Sequence, residues 1–194
     1  GVDASRTEDL SAAETQALAM VPTLVAFMRK YVPGFAAAHL IDVAPQVGVR
    51  ETRRILGEHV LTEDDVLAGR SFSDSIGLGG YYLDVHPPQG GDKRLDSMRY
   101  PLEPYEMPYR MLLPRDIGGL LVAGRCSSAT AQAFGAIRVI PSCMVQGEGA
   151  GTAAALCARG EMAPGELAIE FLQRTLRDQG VYLHAGEVDK QLSF

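Results

Sequence analysis

Residues 118–160 read GGLLVAGRCSSATAQAFGAIRVIPSCMVQGEGAGTAAALCARG, and the rest of the chain is read outward from them. A short apolar run, Leu120–Ala123, lies between Gly119 and Gly124-Arg125. Four to eight apolar residues bounded by glycine predict a fully buried strand. A polar loop of Ser, Thr and Gln follows, then Arg138-Val139-Ile140-Pro141. The next residues predict a helix with Ser142 as N-cap, running to about Arg159 and stopped by Gly160.

That helix carries Gly147, Gly149 and Gly151 in its interior, each costing about 1 kcal/mol relative to Ala. Gly147, Gly151 and Ala155 are four apart and share one face. A smooth face serves either close helix–sheet packing or the approach of a flat ligand. The free N–H groups of the first turn favour an anionic or electron-rich oxygen nearby.

LLVAGRCSSAT, followed by GAIRVIPSCMVQGEGAGTAAAL, resembles the C-terminal flavin-binding segment of a family of FAD-dependent oxidoreductases, in the broad glutathione-reductase-like superfamily. GVRETRRILGEHVLTEDDVLAGRSF (48–72) and MPYRMLLP (107–114) are similar to the same family in the same order. The pattern has a His after Ser-Ala-Thr, where this chain has Ala131. The resemblance implies FAD as cofactor and a last strand of a nucleotide-binding sheet. It also implies a loop near the pyrophosphate and ribityl chain, and a helix aimed at the flavin pyrimidine edge. On this chain it designates Gly124, Arg125, Ile137, Arg138, Ser142, Gly147 and Gly151 as cofactor-binding.

Composition narrows the classes. With 194 residues and 46% hydrophobic content, the chain is long enough and apolar enough for a sizeable core. A net charge of −6 (18 Lys+Arg against 24 Asp+Glu), without a long basic run, predicts no nucleic-acid partner. Three cysteines, Cys126, Cys143 and Cys157, form no Cys-x-x-Cys, which predicts a reducing, cytoplasmic setting rather than a disulfide or zinc framework. The polar start GVDASRTEDL predicts no signal peptide, and without an uninterrupted run of 18 apolar residues no membrane span is expected. Nothing fits Gly-x-Gly-x-x-Gly: GEGAGT at Gly147 lacks the third Gly at Thr152, and GLGGYY at Gly77 has Tyr82 there. The expectation is a C-terminal part of a longer protein.

Elsewhere, Ser11–Tyr31 predicts a helix with a Ser11/Glu14 capping box and an apolar stripe of Leu18, Val21, Val25 and Met28. Residues 39–43 and 47–55 predict strands. In the second, Arg50 and Thr52 face one way, Glu51 and Arg53 the other. This is either a salt-bridged surface or a clamp for a carboxylate or phosphate. Thr62–Ala68 predicts a short capped helix, and Gly77–Gly80 a turn. Residues 81–86 predict a strand ending at His86, which is either structural or a general acid/base. Tyr105–Leu113 predicts a strand centred on Tyr109 and Arg110. Pro164–Gln179 predicts an amphipathic helix with Leu167, Phe171, Leu172 and Leu176 inward. Cys143, near a helix start, is either a lowered-pKa thiol or a small packing group.

Together these predict an α+β fold: a mixed sheet with packed helices, forming the C-terminal part of a two-domain FAD-dependent oxidoreductase without its N-terminal dinucleotide-binding motif. Residues 1–117 read as a substrate-binding region, 118–160 as the flavin-domain strand, loop and helix, and 161–194 as a C-terminal helix and tail. Hydride transfer with a small-molecule substrate is the expected chemistry, with Arg50, His86 and Arg110 as catalytic candidates on the substrate side. The rival expectation is a flavin-less binding module, or a homo-oligomer built on the small-residue helix.

Overall fold

The structure, a computed structural model, describes residues 2–85, 101 and 103–188. They fall into two compact units, 1–53 and 54–194.

The first unit is built on helix α1 (Thr7–Tyr31). It starts earlier than expected. Asp3 accepts hydrogen bonds from the Ser5 amide (3.0 Å) and hydroxyl (2.7 Å), and Arg6 occupies the N-cap position. Glu8 and Asp9 then sit in the first turn, where the helix dipole favours them. Ser11 is therefore interior, and the predicted Ser11/Glu14 box does not form. Thr15 Oγ1 donates to the Ser11 carbonyl, and Glu14 Oε1 accepts from the Val47 amide (3.3 Å). No residue of α1 is buried; Val21, Val25 and Met28 are half-buried, while Leu18 is exposed. By length and composition α1 is long and apolar enough to cross a membrane. The expected strand at 39–43 forms no ladder, and neither does 47–55.

In the second unit, α2 (Glu63–Leu67) has the predicted Thr62 cap: Thr62 Oγ1 accepts from the Asp65 amide, and Asp65 returns the bond to the Thr62 amide. The sheet is smaller than expected. Among the described residues it is an antiparallel pair, β1 (Ser75–Gly79) with β2 (Tyr105–Pro108), not a mixed sheet. The overall class remains helices with a small sheet, consistent with α+β.

β1 corrects the turn expected at Gly77–Gly80. Its glycines serve close approach: a Cβ on Gly79 would lie 2.5 Å from the Tyr105 ring, and Gly77 has φ +150° beneath Val145. Past Pro108 the chain tightens into a 3-10 turn, Tyr109–Leu112, so the expected strand to Leu113 ends early.

The predicted strand Leu120–Ala123 is not a strand either. Val122 donates one backbone bond to Leu112 O (2.9 Å), and Leu120 is exposed. A strand needs a ladder partner on its edge, and a single bond does not supply one. The polar loop after it folds instead into α3 (Ala131–Ile137), capped by the Thr130 side chain on the Ala133 amide.

Helix α4 (Ile140–Gly160) follows directly, with Val139 as N-cap and Pro141 in the first turn. Proline suits that position because its missing N–H would be unbonded there anyway. Past Gly160 the chain turns at Glu161, in the left-handed region (φ 51°), and Met162 N bonds back to Cys157 O. A 3-10 turn, Pro164–Glu166, leads to α5 (Ile169–Asp178). Leu167, Leu172 and Leu176 are buried as predicted, whereas Phe171 is 49% exposed; Gln173 takes an inward place instead. Gly180 (φ +90°) stops the helix.

The tail, silent in sequence, is held at several points. Leu183 is fully buried, its carbonyl accepts from Ser75 Oγ (2.7 Å), and His184 Nδ1 lies 2.8 Å from Oε1 of buried Glu106. A short helix, α6 (Ala185–Val188), ends the described chain.

Candidate flavin-edge site

The site is built from the turn at Gly124, the junction of α3 with α4, and one face of α4. Gly124 has φ +75°, a left-handed conformation that glycine alone adopts cheaply. It opens a 3-10 turn, Gly124–Cys126, with Arg125 exposed beside it. The Gly124 amide donates to Gln146 Oε1 (2.9 Å). Gln146 Nε2 in turn donates to Ile137 O (3.1 Å).

Ser142 is buried, but it is not the helix cap: its hydroxyl donates to Ala136 O (3.2 Å). The cap falls to Val139 because extended backbone there, ahead of Pro141, already sets the helix entry. Tyr105 is fully buried and its hydroxyl also donates to Ala136 O (3.0 Å); burial pushes that phenol up to about 12. The end of α3 is thus fixed from two sides, and Ile137 is fully buried within it.

Arg138, the C-cap of α3, points back rather than outward. Its Nη2 donates to Asp84 O (2.7 Å) and lies 3.7 Å from the Asp84 carboxylate, with the side chain only 11% exposed. Asp84 also meets Gly135, where a Cβ would lie 2.8 Å from its carbonyl oxygen. Cys143 Sγ faces Ile137 O, and burial raises its thiol despite the charge of Arg125. Of the two alternatives for Cys143, packing is the one the structure favours.

The two faces of α4 differ. Ser142, Gln146, Gly149, Ala153 and Leu156 are buried, and a Cβ on Gly149 would lie 2.8 Å from Ile76 Cδ1. Gly149 is therefore the close-packing glycine. Gly147 and Gly151, the pair singled out in sequence, are exposed, and a Cβ on either would meet nothing within 4 Å. Their smoothness serves no packing within the described chain. Ile140 (77%) and Met144 (68%) are exposed near the same end of the helix.

Of the predicted cofactor residues, the structure brings Gly124, Ile137 and Ser142 together around Gln146, with Arg125 and Arg138 flanking and Gly147 and Gly151 following along α4. Arg110 forms a two-point pair with Asp74, through Nε (2.9 Å) and Nη2 (3.2 Å), and its amide bonds the same carboxylate. Burial tends to raise the Asp74 carboxyl, but the Arg110 side chain, amide and charge outweigh it and hold it below the ordinary value. Arg50 is exposed and belongs to the first unit. His86 lies outside the described residues.

Sequence reasoning missed Gln146, Asp74 and Asp84. Gln146 left a signal: it is the uncharged amide four residues after Ser142 and three before Gly149, on the face that proves buried. Asp74 and Asp84 left none, since their partners are 36 and 54 residues away.

No curated protein and no solved structure matches the chain. The family model for FAD dependent oxidoreductase matches residues 1–176, nearly the whole length, and the chain belongs to that family.

Proposed function

We propose that this chain is the C-terminal portion of an FAD-dependent oxidoreductase of the glutathione-reductase-like superfamily. It contributes the substrate region and the site for the flavin pyrimidine edge. The observation that carries this beyond family membership is the open side of α4. Gly147 and Gly151 leave a Cβ-free surface on the helix whose N-terminal half meets the left-handed Gly124 turn through Gln146. Such a surface fits a flat, electron-rich ring edge: the helix N-terminus carries partial positive charge, and at Gly147 and Gly151 no side chain stands in the way. When bound, the flavin supplies hydride transfer between a substrate carbon and its N5.

The chain's own residues bind and orient. Gly124 shapes the turn that meets the cofactor, with Arg125 as the exposed cation beside it. Ser142 and Ile137 fix the junction from which α4 starts. Arg138, tied to Asp84, braces that junction and adds positive charge behind it. On the substrate side Arg110 is pre-oriented by Asp74 and its side chain remains 46% exposed, suited to an anionic group. Arg50 and His86 complete the proposed set, His86 as general acid/base. The substrate is a small molecule, the setting cytoplasmic, and nucleic acid is not a partner.

A second reading has its own observation: exposed Ile140 and Met144 make the same face apolar enough for an oligomer contact. The two separate by titrating FAD into this chain alone and into the chain joined to a dinucleotide-binding part. The flavoprotein reading predicts weak or no binding alone and stoichiometric binding when joined. A joined protein without flavin supports the oligomerisation module.

A further inference from the structure

We infer that Gln146 is a positioning residue for the cofactor turn, a tether that sets where Gly124 and the α3–α4 junction stand relative to each other. The inference rests on the flavin-edge reading above. Gln146 is fully buried, and both ends of its amide are used. Oε1 accepts from the Gly124 amide at 2.9 Å, and Nε2 donates to Ile137 O at 3.1 Å. One side chain on α4 thus joins two segments of the site that lie 22 and 9 residues before it.

The chemistry of the pair admits few substitutes. The Gly124 N–H needs an acceptor and the Ile137 C=O needs a donor, at the span of one carboxamide. Glutamate lacks the donor, methionine keeps the volume but lacks both groups, and asparagine is one methylene short. A buried amide also costs desolvation, which an apolar residue of equal size would avoid. What the amide adds is direction. Gly124 is left-handed (φ +75°), and its turn is otherwise held by the Ser127 bonds to Gly124 O and by the Ile55 amide on Cys126 O, neither of which reaches α4. Without Gln146 the turn keeps its shape but loses its registration on α4.

Gln173 provides the control. It is also a nearly buried glutamine, and its Nε2 donates to Ser73 O (2.9 Å) and Ser75 O (3.1 Å), away from the turn. In the chain joined to a dinucleotide-binding part, Gln146→Met and Gln173→Met are compared for melting temperature and FAD dissociation constant. Both variants are expected to melt lower. Only Gln146→Met is expected to weaken FAD, by about tenfold, because the turn loses both amide bonds that register it on α4; Gln173→Met stays within about twofold. An unchanged FAD constant in Gln146→Met, or equal weakening in both variants, overturns the tether. If Gln146→Met does not fold, amide exchange of the unsubstituted protein decides. The Gly124 amide is expected to exchange at least about 100-fold slower than an open loop amide, and slower again with FAD. Exchange at the loop rate overturns the inference. Should the unsubstituted joined protein bind no FAD, the flavin-edge reading fails and the positioning role falls with it. Normal binding with an indifferent Gln146→Met defeats the tether alone.

Discussion

The two sides of α4 are made from the same small residues and do opposite things. On the packed side, Gly149 lets the helix close on Ile76, and Ser142 and Gln146 find buried partners. On the open side, Gly147 and Gly151 carry the same helix penalty and meet nothing. Glycine in a helix interior is thus not evidence of packing by itself; the neighbour that a Cβ would strike decides. One side explains how the fold holds, and the other marks where something outside the described residues is expected to lie.

The comparison breaks most visibly at Gly149. Gly149→Leu should cost about 3 kcal/mol or more through overpacking against Ile76, lowering Tm by roughly 6–12 °C. Thermal unfolding followed by circular dichroism measures this, and an unchanged Tm would assign the sides of α4 wrongly.

A polar bond elsewhere in the unit sets the scale. Asp74→Asn should cost about 1–2 kcal/mol at pH 7, kept modest because Arg110 is half exposed. The dependence on pH has a definite sign. The Asp74 carboxyl is depressed in the fold from its ordinary 3.8. Its contribution is complete above that value and is lost as pH falls through the folded one. Denaturant titrations should therefore show unsubstituted and Asp74→Asn proteins converging in acid. A gap that stays constant down to pH 2 would contradict the ion pair.

Tyr105→Phe should be milder, about 1 kcal/mol, since Ala136 O keeps the Ser142 hydroxyl as donor. Chemical denaturation checks it. A loss above about 3 kcal/mol would mean that the α3 end depends on Tyr105 far more than its second donor allows.

The smallest effect has the opposite direction. Gly151→Ala should stabilise the chain by about 0.5–1 kcal/mol, the helix propensity gain where space is open. A lower Tm would show that Gly151 is packed after all.

The legible parts of the fold were the local ones. Thr62 and Asp65 lie three residues apart and form their box as the sequence suggests. Helix α4 is legible as a helix, but its ends are not: Ser142 bonds Ala136 instead of capping, and the left-handed stop falls at Glu161, one residue past Gly160. Ser11 failed for the same reason of context: an earlier turn at Asp3 starts α1 first. Leu120–Ala123 has the composition of a buried strand, but a ladder depends on a neighbour that composition does not encode. β1 was disguised by Gly77 and Gly79, which read as a turn until Val145 and Tyr105 are seen above them. The candidate site shows the same division. Gly124 and the small face of α4 could be named from sequence, whereas Gln146 and Asp84 act through carbonyls and amides far along the chain.

The central claim is that the open side of α4 faces a flavin, and Gly151→Leu tests it most directly. In the chain joined to a dinucleotide-binding part, FAD titration by quenching of flavin fluorescence should show binding weakened by about 100-fold or more. A bulky side chain would then stand where the ring must approach, at a cost of about 3 kcal/mol. The Tm of the FAD-free protein should not fall by more than about 2 °C, because a Cβ there meets nothing within 4 Å. FAD bound with unaltered affinity to Gly151→Leu would contradict the claim.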